Sequence, residues 1–282
     1  MNDGLVEKTV GKIEEIAKNA SLTGLKENKA IPSMKEIEKI ISDLHALLFP
    51  SYFAATSRNS HALLWDVSSR LERQIELAGE VMGESLDAKK ICADFIEELP
   101  KIYEKLLKDI EALYQGDPAA KSREMVLICY PGFYVISIYR FAHELYRLGV
   151  PLLARMMTEH AHGKTGVDIH AGAEIGEYFF IDHGTGIVIG ETTVIGDRVK
   201  LYQGVTLGAK SFKTDDAGNP VKDIKRHPNI GNNVVIYAGA TILGGDTYVG
   251  DGSVIGGNVW LTSSVPAGST VYYNASDVSK KK

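Results

Sequence analysis

Ile189-Gly190-Glu191-Thr192-Thr193-Val194-Ile195-Gly196-Asp197-Arg198-Val199-Lys200-Leu201-Tyr202-Gln203-Gly204-Val205-Thr206-Leu207-Gly208 returns an aliphatic residue every six positions, at Ile189, Ile195, Leu201 and Leu207. The same step runs outward in both directions: Ile169, Ile175, Ile181 and Ile187 come before it, and after a break come Ile230, Ile236 and Ile242, then Leu243, Val249, Ile255 and Leu261. Glycine often follows the anchor, as at Gly176, Gly190, Gly196 and Gly231, and the fourth residue after it is small or β-branched, as at Ala173, Thr185, Thr193, Val199, Val205 and Ala240. A period of six matches neither the 3.6 of an amphipathic helix nor the simple alternation of a strand. It predicts a β-solenoid in which each hexapeptide is one short strand on one side of a triangular coil, aliphatic anchor inward. Three hexapeptides close a coil, so residues about 18 apart stack at roughly 4.8 Å, and Val167 to Val265 supply about five coils. A sandwich of short antiparallel strands would not hold a six-residue register through so many repeats.

The rest of the chain bounds the answer. With 282 residues, 44% of them hydrophobic, there is room for one large core or two moderate ones. A net charge of -5 and the lack of a long basic run argue against nucleic acid or an anionic membrane as main partner. Cys92 and Cys129 are isolated, which excludes a disulfide framework or a metal knuckle. The amino terminus is charged and amphipathic, without the apolar core of a signal peptide, and no apolar run approaches the roughly 20 residues of a membrane span, so a cytoplasmic protein is expected. Residues 2 to about 163 read as helices: 35–48, 61–81, 86–99 ending at Pro100, 101–114, 122–130, 133–148 and 151–160. The expected class is α+β, with a helical domain over 1–163, a parallel β-helix over 164–272 carrying an extruded loop at 209–226, and a short tail over 273–282.

Polar residues interrupt the solenoid pattern in three places. Asp168 and His170 flank Ile169 in the first coil. Asp182-His183-Gly184-Thr185-Gly186 follows Ile181, and alternation does not allow Asp182 and His183 both to take an inward position without a local distortion. Between Leu207 and Ile230 the rhythm lapses for a polar segment that ends Arg226-His227-Pro228, a loop leaving a rigid scaffold, where function tends to sit. Taken singly, each is better read as a turn or a satisfied hydrogen-bond pair than as a catalyst.

Together, Val167 to His170, Ile181 to Thr192, Gln203 to Gly208 and Arg226-His227-Pro228 closely resemble serine O-acetyltransferases, and Gly116-Asp117-Pro118-Ala119 resembles that family's signature at the end of its helical domain. The resemblance covers about Asp117 to Val265; residues 1 to about 100 share helical character only. It implies a left-handed β-helix that transfers acetyl from acetyl-CoA to the hydroxyl of L-serine for cysteine biosynthesis. It implies His183 as general base, a role to which the histidine side chain in general is suited, and Asp168 as its orienting carboxylate. Asp117 and Asp182 would hold the ammonium of serine, Arg226 and His227 its carboxylate, and Gly208, Ala209, Ala238 and Gly257 the arm of acetyl-CoA. No metal is implied. The family further implies a site in the cleft of a homotrimer, with the helical domains joining two trimers, and inhibition by L-cysteine, nearly isosteric with serine. Direct attack is favoured over a cysteine acyl-enzyme because both cysteines lie in the helical half.

The chain departs from the family at its end, reading Tyr272-Tyr273-Asn274-Ala275-Ser276 where a glycine-x-proline-alanine element near coenzyme A is usual, and without a tail ending in isoleucine, so a complex with cysteine synthase is not expected. Three alternatives differ in their requirements. A hexapeptide acyltransferase for a sugar or antibiotic hydroxyl needs no ammonium pair. A zinc carbonic anhydrase on the same solenoid needs two histidines four residues apart on one coil, absent after Val167. A silent scaffold needs none of the set.

Overall fold

The computed structural model describes residues 3–20, 30–53 and 59–273. Among the described residues eight helices come first: α1 (Asp3–Asn19), α2 (Met34–Leu48), α3 (Pro50–Phe53), α4 (Ser60–Met82), α5 (Ala88–Gly116), α6 (Arg123–Cys129), α7 (Pro131–Arg147) and α8 (Pro151–Thr165). The expected helices 86–99 and 101–114 form one: α5 runs 29 residues with Pro100 inside it. Pro100 lies on the solvent face, where the carbonyl freed by its missing N–H can be hydrated, while Cys92, Phe95, Leu99, Ile102, Leu106, Ile110 and Leu113 bury a continuous stripe on either side of it. Helix α1 buries no residue. Among the described residues no single helix is long and apolar enough to cross a membrane.

Fourteen short strands follow among the described residues, in three parallel sheets: sheet A (β1 Asp168–Ile169, β4 Val188–Ile189, β7 Thr206–Gly208, β10 Thr241–Leu243, β13 Trp260–Leu261), sheet B (β2 Glu174–Ile175, β5 Val194–Ile195, β8 Asn229–Ile230, β11 Tyr248–Val249) and sheet C (β3 Phe180–Ile181, β6 Lys200–Leu201, β9 Val235–Ile236, β12 Val254–Ile255, β14 Thr270–Val271). The chain visits A, B and C in turn, as a triangular solenoid of the left-handed β-helix type must. The anchors stack in register: Ile169, Ile189, Leu207, Ile242 and Leu261 on sheet A; Ile175, Ile195, Ile230 and Val249 on B; Ile181, Leu201, Ile236, Ile255 and Val271 on C.

The coils are not all 18 residues long. Along sheet A the step from Ile169 to Ile189 is 20, from Ile189 to Leu207 18, from Leu207 to Ile242 35, and from Ile242 to Leu261 19. Two residues are added between sheets C and A of the first coil. They shift Ile187 into the column of Val205 and Ala240, so Ile187 is buried and Thr185, expected in that column, is exposed. Seventeen are added between sheets A and B as the extruded loop, and one more at Gly244-Gly245 leaves Leu243 only half-buried beside the true anchor Ile242. The corner between sheets B and C carries no addition between β2 and β12.

One apolar core runs through both halves. Helix α7 is its hub, burying Phe133, Val135, Ile136, Ile138, Tyr139, Phe141 and Leu145. The junction is close because glycine faces β3: a Cβ on Gly116 would lie 2.5 Å from the Phe180 ring, and one on Gly132 2.4 Å from the Ile181 carbonyl oxygen. A buried ion pair pins the same seam. Asp109 of α5 accepts from Arg140 Nε (2.6 Å) and Nη2 (2.9 Å) of α7 and from Phe179 N (2.9 Å), while Arg140 Nη2 also donates to the Gly176 carbonyl (2.8 Å).

Candidate active site

The corner between sheets C and A carries the first group of polar residues. The two added residues of the first coil fall at His183 and Gly184, because Gly186 N still bonds the Gly166 carbonyl (2.7 Å) and Gly204 N the Thr185 carbonyl (3.0 Å), restoring the regular turn just after them. Both adopt left-handed backbone, φ 58° and 85°. The bulge throws the His183 imidazole outward, leaving its side chain 69% exposed. Its neighbours are carboxylates: Nδ1 is 3.6 Å from Asp182 Oδ1. Asp117, brought in by the Gly116 contact, accepts at Oδ2 from Tyr130 Oη (2.5 Å) and at Oδ1 from Ala119 N (2.8 Å). These hydrogen bonds, the Tyr130 one first, hold Asp117 below the usual carboxylate range, and the adjacent Asp117 carboxylate pushes the Tyr130 phenol up to about 12. Above Asp182, in the same column, Tyr202 and Tyr237 stack with ring centroids 5.1 Å apart and planes 13° off parallel. Ala238 and Gly257 lie at this corner in the higher coils, both small and accessible, with only the Ala238 carbonyl near the missing Gly257 Cβ.

The corner between sheets A and B carries the second group. Glu191 and Thr192 end the turn after β4, and the extruded loop returns to them as Arg226-His227. Arg226 Nη2 forms an ion pair with Glu191 Oε2, and Tyr146 Oη donates to Glu191 Oε1 (3.1 Å). Burial raises the Glu191 pKa, but these two hydrogen bonds outweigh it and hold the carboxyl below its ordinary range. His227 is buried against Gly190, where a Cβ would stand 2.2 Å from Nε2. Its pKa is lowered to about 4, by burial first and then by the Arg226 charge. His170 lies here too, half-buried, its Nδ1 accepting from Gly172 N (3.0 Å). A cleft of about 600 Å³ opens on His170, Glu191, Tyr146 and Arg155. A larger one, about 870 Å³, lies between α5, α7 and sheet B, lined by neither His183 nor Arg226. Gly208 and Ala209 sit at this second corner, where the chain leaves for the loop.

Asp168 stands on sheet A between the corners. Its carboxylate is 3.9 Å from Arg155 Nη1, and with Glu159 and His162 it brings three potential ligand atoms within 4.8 Å, a group whose charge Arg155 already answers. The turn bearing His183 packs on Val167, next to Asp168, since a Cβ on Gly184 would be 3.0 Å from Val167. No hydrogen bond joins Asp168 to His183 among the described residues. The structure thus gathers Asp117, Asp182 and His183 at one corner and Arg226 and His227 at the other, with Asp168 between. Tyr130, Tyr146, Glu191 and Thr192 join these groups without having been singled out from sequence. The first two come from helices distant along the chain; the last two sit at a solenoid turn whose polar pair does not differ in kind from Asp197-Arg198 or Asn232-Asn233, so spacing alone could not single them out.

Comparison with known proteins gives one picture. No family model matches the chain. It is 46% identical over 260 residues, 86% of this chain and 81% of the relative, to a plasmid-borne serine acetyltransferase of Synechococcus elongatus. The crystal structure of Entamoeba histolytica serine acetyltransferase 1 in complex with L-cysteine superposes with a TM-score of 0.76 at 35% identity, covering 87% of this chain and 88% of that one. That of soybean serine acetyltransferase complexed with serine superposes with a TM-score of 0.58 at 29% identity, covering 85% and 97%. With a relative this similar over most of both chains, and with the helical half and hexapeptide solenoid it requires, the chain belongs to the serine acetyltransferase family.

Proposed function

We propose that the chain transfers the acetyl group of acetyl-CoA to the hydroxyl of L-serine, releasing O-acetyl-L-serine and coenzyme A. The observation that carries this reading is the separation of charge between the two corners. Two carboxylates, Asp117 and Asp182, flank the exposed base His183, and a guanidinium and an imidazole, Arg226 and His227, occupy the other corner. An acceptor with an ammonium at one end and a carboxylate at the other needs this pair of environments; a sugar hydroxyl needs neither.

His183 takes the hydroxyl proton as the serine oxygen attacks the thioester carbonyl, and returns it to the sulfur when the C–S bond breaks. Asp168 is assigned to steady the imidazolium, since it follows Val167, on which the turn bearing His183 packs. The accessible, small Ala238 and Gly257 leave room for an extended pantetheine arm beside His183, and Gly208 and Ala209 serve the same arm from the other corner. L-cysteine, with the same ammonium and carboxylate, fits the acceptor groups and is expected to compete with serine. The corners are one strand and turn apart, on the order of 15–20 Å at about 3.3 Å per residue, too far for one serine to bridge. Trp260, 70% exposed, and Val188, 38% exposed, stand on sheet A between them. A homotrimer that sets the C–A corner of one chain against the A–B corner of the next joins the halves and covers these side chains.

The test is thiol release from acetyl-CoA with L-serine, D-serine, L-homoserine and a simple sugar. Turnover with L-serine alone is expected. Turnover with the sugar but not with L-serine would overturn the acceptor assignment.

A further inference from the structure

Thr192 is the point on which the second corner turns. Its hydroxyl oxygen accepts from the backbone N–H of Arg226 (3.0 Å) and of His227 (3.1 Å) and lies 2.9 Å from His227 Nδ1. Its own backbone N–H also points to that Nδ1, at 3.0 Å. A hydroxyl has one proton to give and two lone pairs to fill. With both lone pairs taken by N–H groups, its proton goes to Nδ1. The backbone N–H of Thr192 can only donate, so Nδ1 must be unprotonated, and the single ring proton of a neutral His227 is on Nε2. That nitrogen has no partner among the described residues, yet it is not among the polar atoms sealed from solvent. The charged and titratable groups acting on the ring are Arg226, Lys225, Glu191 and His170, the cations opposing a second proton.

We propose that Thr192 is a positioning residue for the acceptor: it fixes His227 as a neutral donor through Nε2–H, and by the same hydroxyl anchors the backbone of Arg226, so that imidazole and guanidinium reach one carboxylate together. The inference rests on the proposed serine acceptor for the identity of that carboxylate, and on hydrogen-bond geometry alone for the tautomer. It follows that acceptor binding through His227 does not change with protonation between pH 5 and 8, where a free histidine would switch. The side chains that bring this about are Glu191 and Thr192, two residues of a tight solenoid turn, and the 17-residue loop is held to the scaffold at its return end by them.

Two measurements test it. Nitrogen-15 NMR of histidine-labelled full-length protein, with His227→Gln to assign the signal, should show an unprotonated Nδ1 and a protonated Nε2 for His227 throughout pH 5–8. A signal that titrates near 6.5, or the opposite tautomer, overturns the proposal in the wild type whatever any variant does. In kinetics, Thr192→Val should raise the KM for L-serine about tenfold or more, leave that for acetyl-CoA within about twofold, and be rescued by Thr192→Ser, which keeps the hydroxyl. An unchanged serine KM in Thr192→Val, or equal losses for both substrates, overturns it. Absence of L-serine turnover in the wild type would instead overturn the acceptor assignment, and the NMR result would still decide the tautomer.

Discussion

At His183 the backbone sits at φ 58°, a region that a side-chain-bearing residue occupies at a cost of about 1–3 kcal/mol. The cost arises because two residues were added to a coil that closes well with 18, and the product of that addition is an imidazole held clear of the solenoid wall. Stability and reactivity therefore oppose each other at one residue. His183→Ala should lower kcat by roughly 10² to 10⁴ without rescuing the backbone. His183→Gly should lower it as much while stabilising the fold by about 1 kcal/mol, read as a higher urea midpoint; equal midpoints for the two variants would show that the turn is not strained. The bulge also marks where the sequence was legible and where it was not. The clash between Asp182-His183 and strict alternation could be seen in the residues. Its resolution, displacing Ile187 rather than burying His183, could not, because Ile187 fits the six-residue phase of Ile169, Ile175 and Ile181 equally well.

Among elements, the solenoid strands were readable from aliphatic spacing because each anchor is buried by its stacked neighbours, a local and repetitive cause. Leu243 was misread since two adjacent aliphatics both satisfy the spacing, and only the Ile242 pairing with Leu207 and Leu261 selects one. Pro100 was read as a helix end from its missing N–H, yet the buried stripe on both sides of it outweighs that single lost bond. The seam between halves was not legible at all: Tyr130 reaches Asp117, and Arg140 reaches Asp109, through packing that no spacing announces. That seam sets the first corner, since α5 and α7 deliver Asp117 and Tyr130 to β3. Asp109→Ala leaves Arg140 buried without its carboxylate and should destabilise the protein by about 3–5 kcal/mol, measured by urea unfolding. Activity at low temperature should fall along with it through loss of the Asp117 position.

For the whole molecule, two buried histidines add to the sensitivity to acid. His45, packed among Phe53, Tyr134 and Phe141, is lowered to about 4 by burial, and His227 likewise. The unfolded chain then binds more protons than the folded one between about pH 6.5 and 4. Their contribution is fully present above pH 6.5 and is lost as the pH falls toward 4, on the order of 3 kcal/mol for His45. A His45→Gln variant should show a shallower fall of melting temperature over that window; an unchanged slope would place the acid sensitivity elsewhere. The proposed trimer makes its own prediction. His183→Ala and Arg226→Ala chains, each inactive alone, should regain roughly a quarter of the wild-type sites when co-assembled in equal amounts, because one interface in four then pairs two intact corners. No recovery would mean that each chain builds its own site. The long coil bears on how such a molecule comes into being. Most rungs zip onto a partner 18 to 20 residues back, but the rungs on either side of the extruded loop must close 35. That near-doubling adds only about 0.6 kcal/mol of closure entropy, less than one buried aliphatic side chain returns, at about 1.5–3 kcal/mol. The ladder can therefore assemble as two short zippers, the lower holding His183 and Glu191 and the upper Ala238 and Gly257, with Arg226 and His227 falling into place only when the two engage.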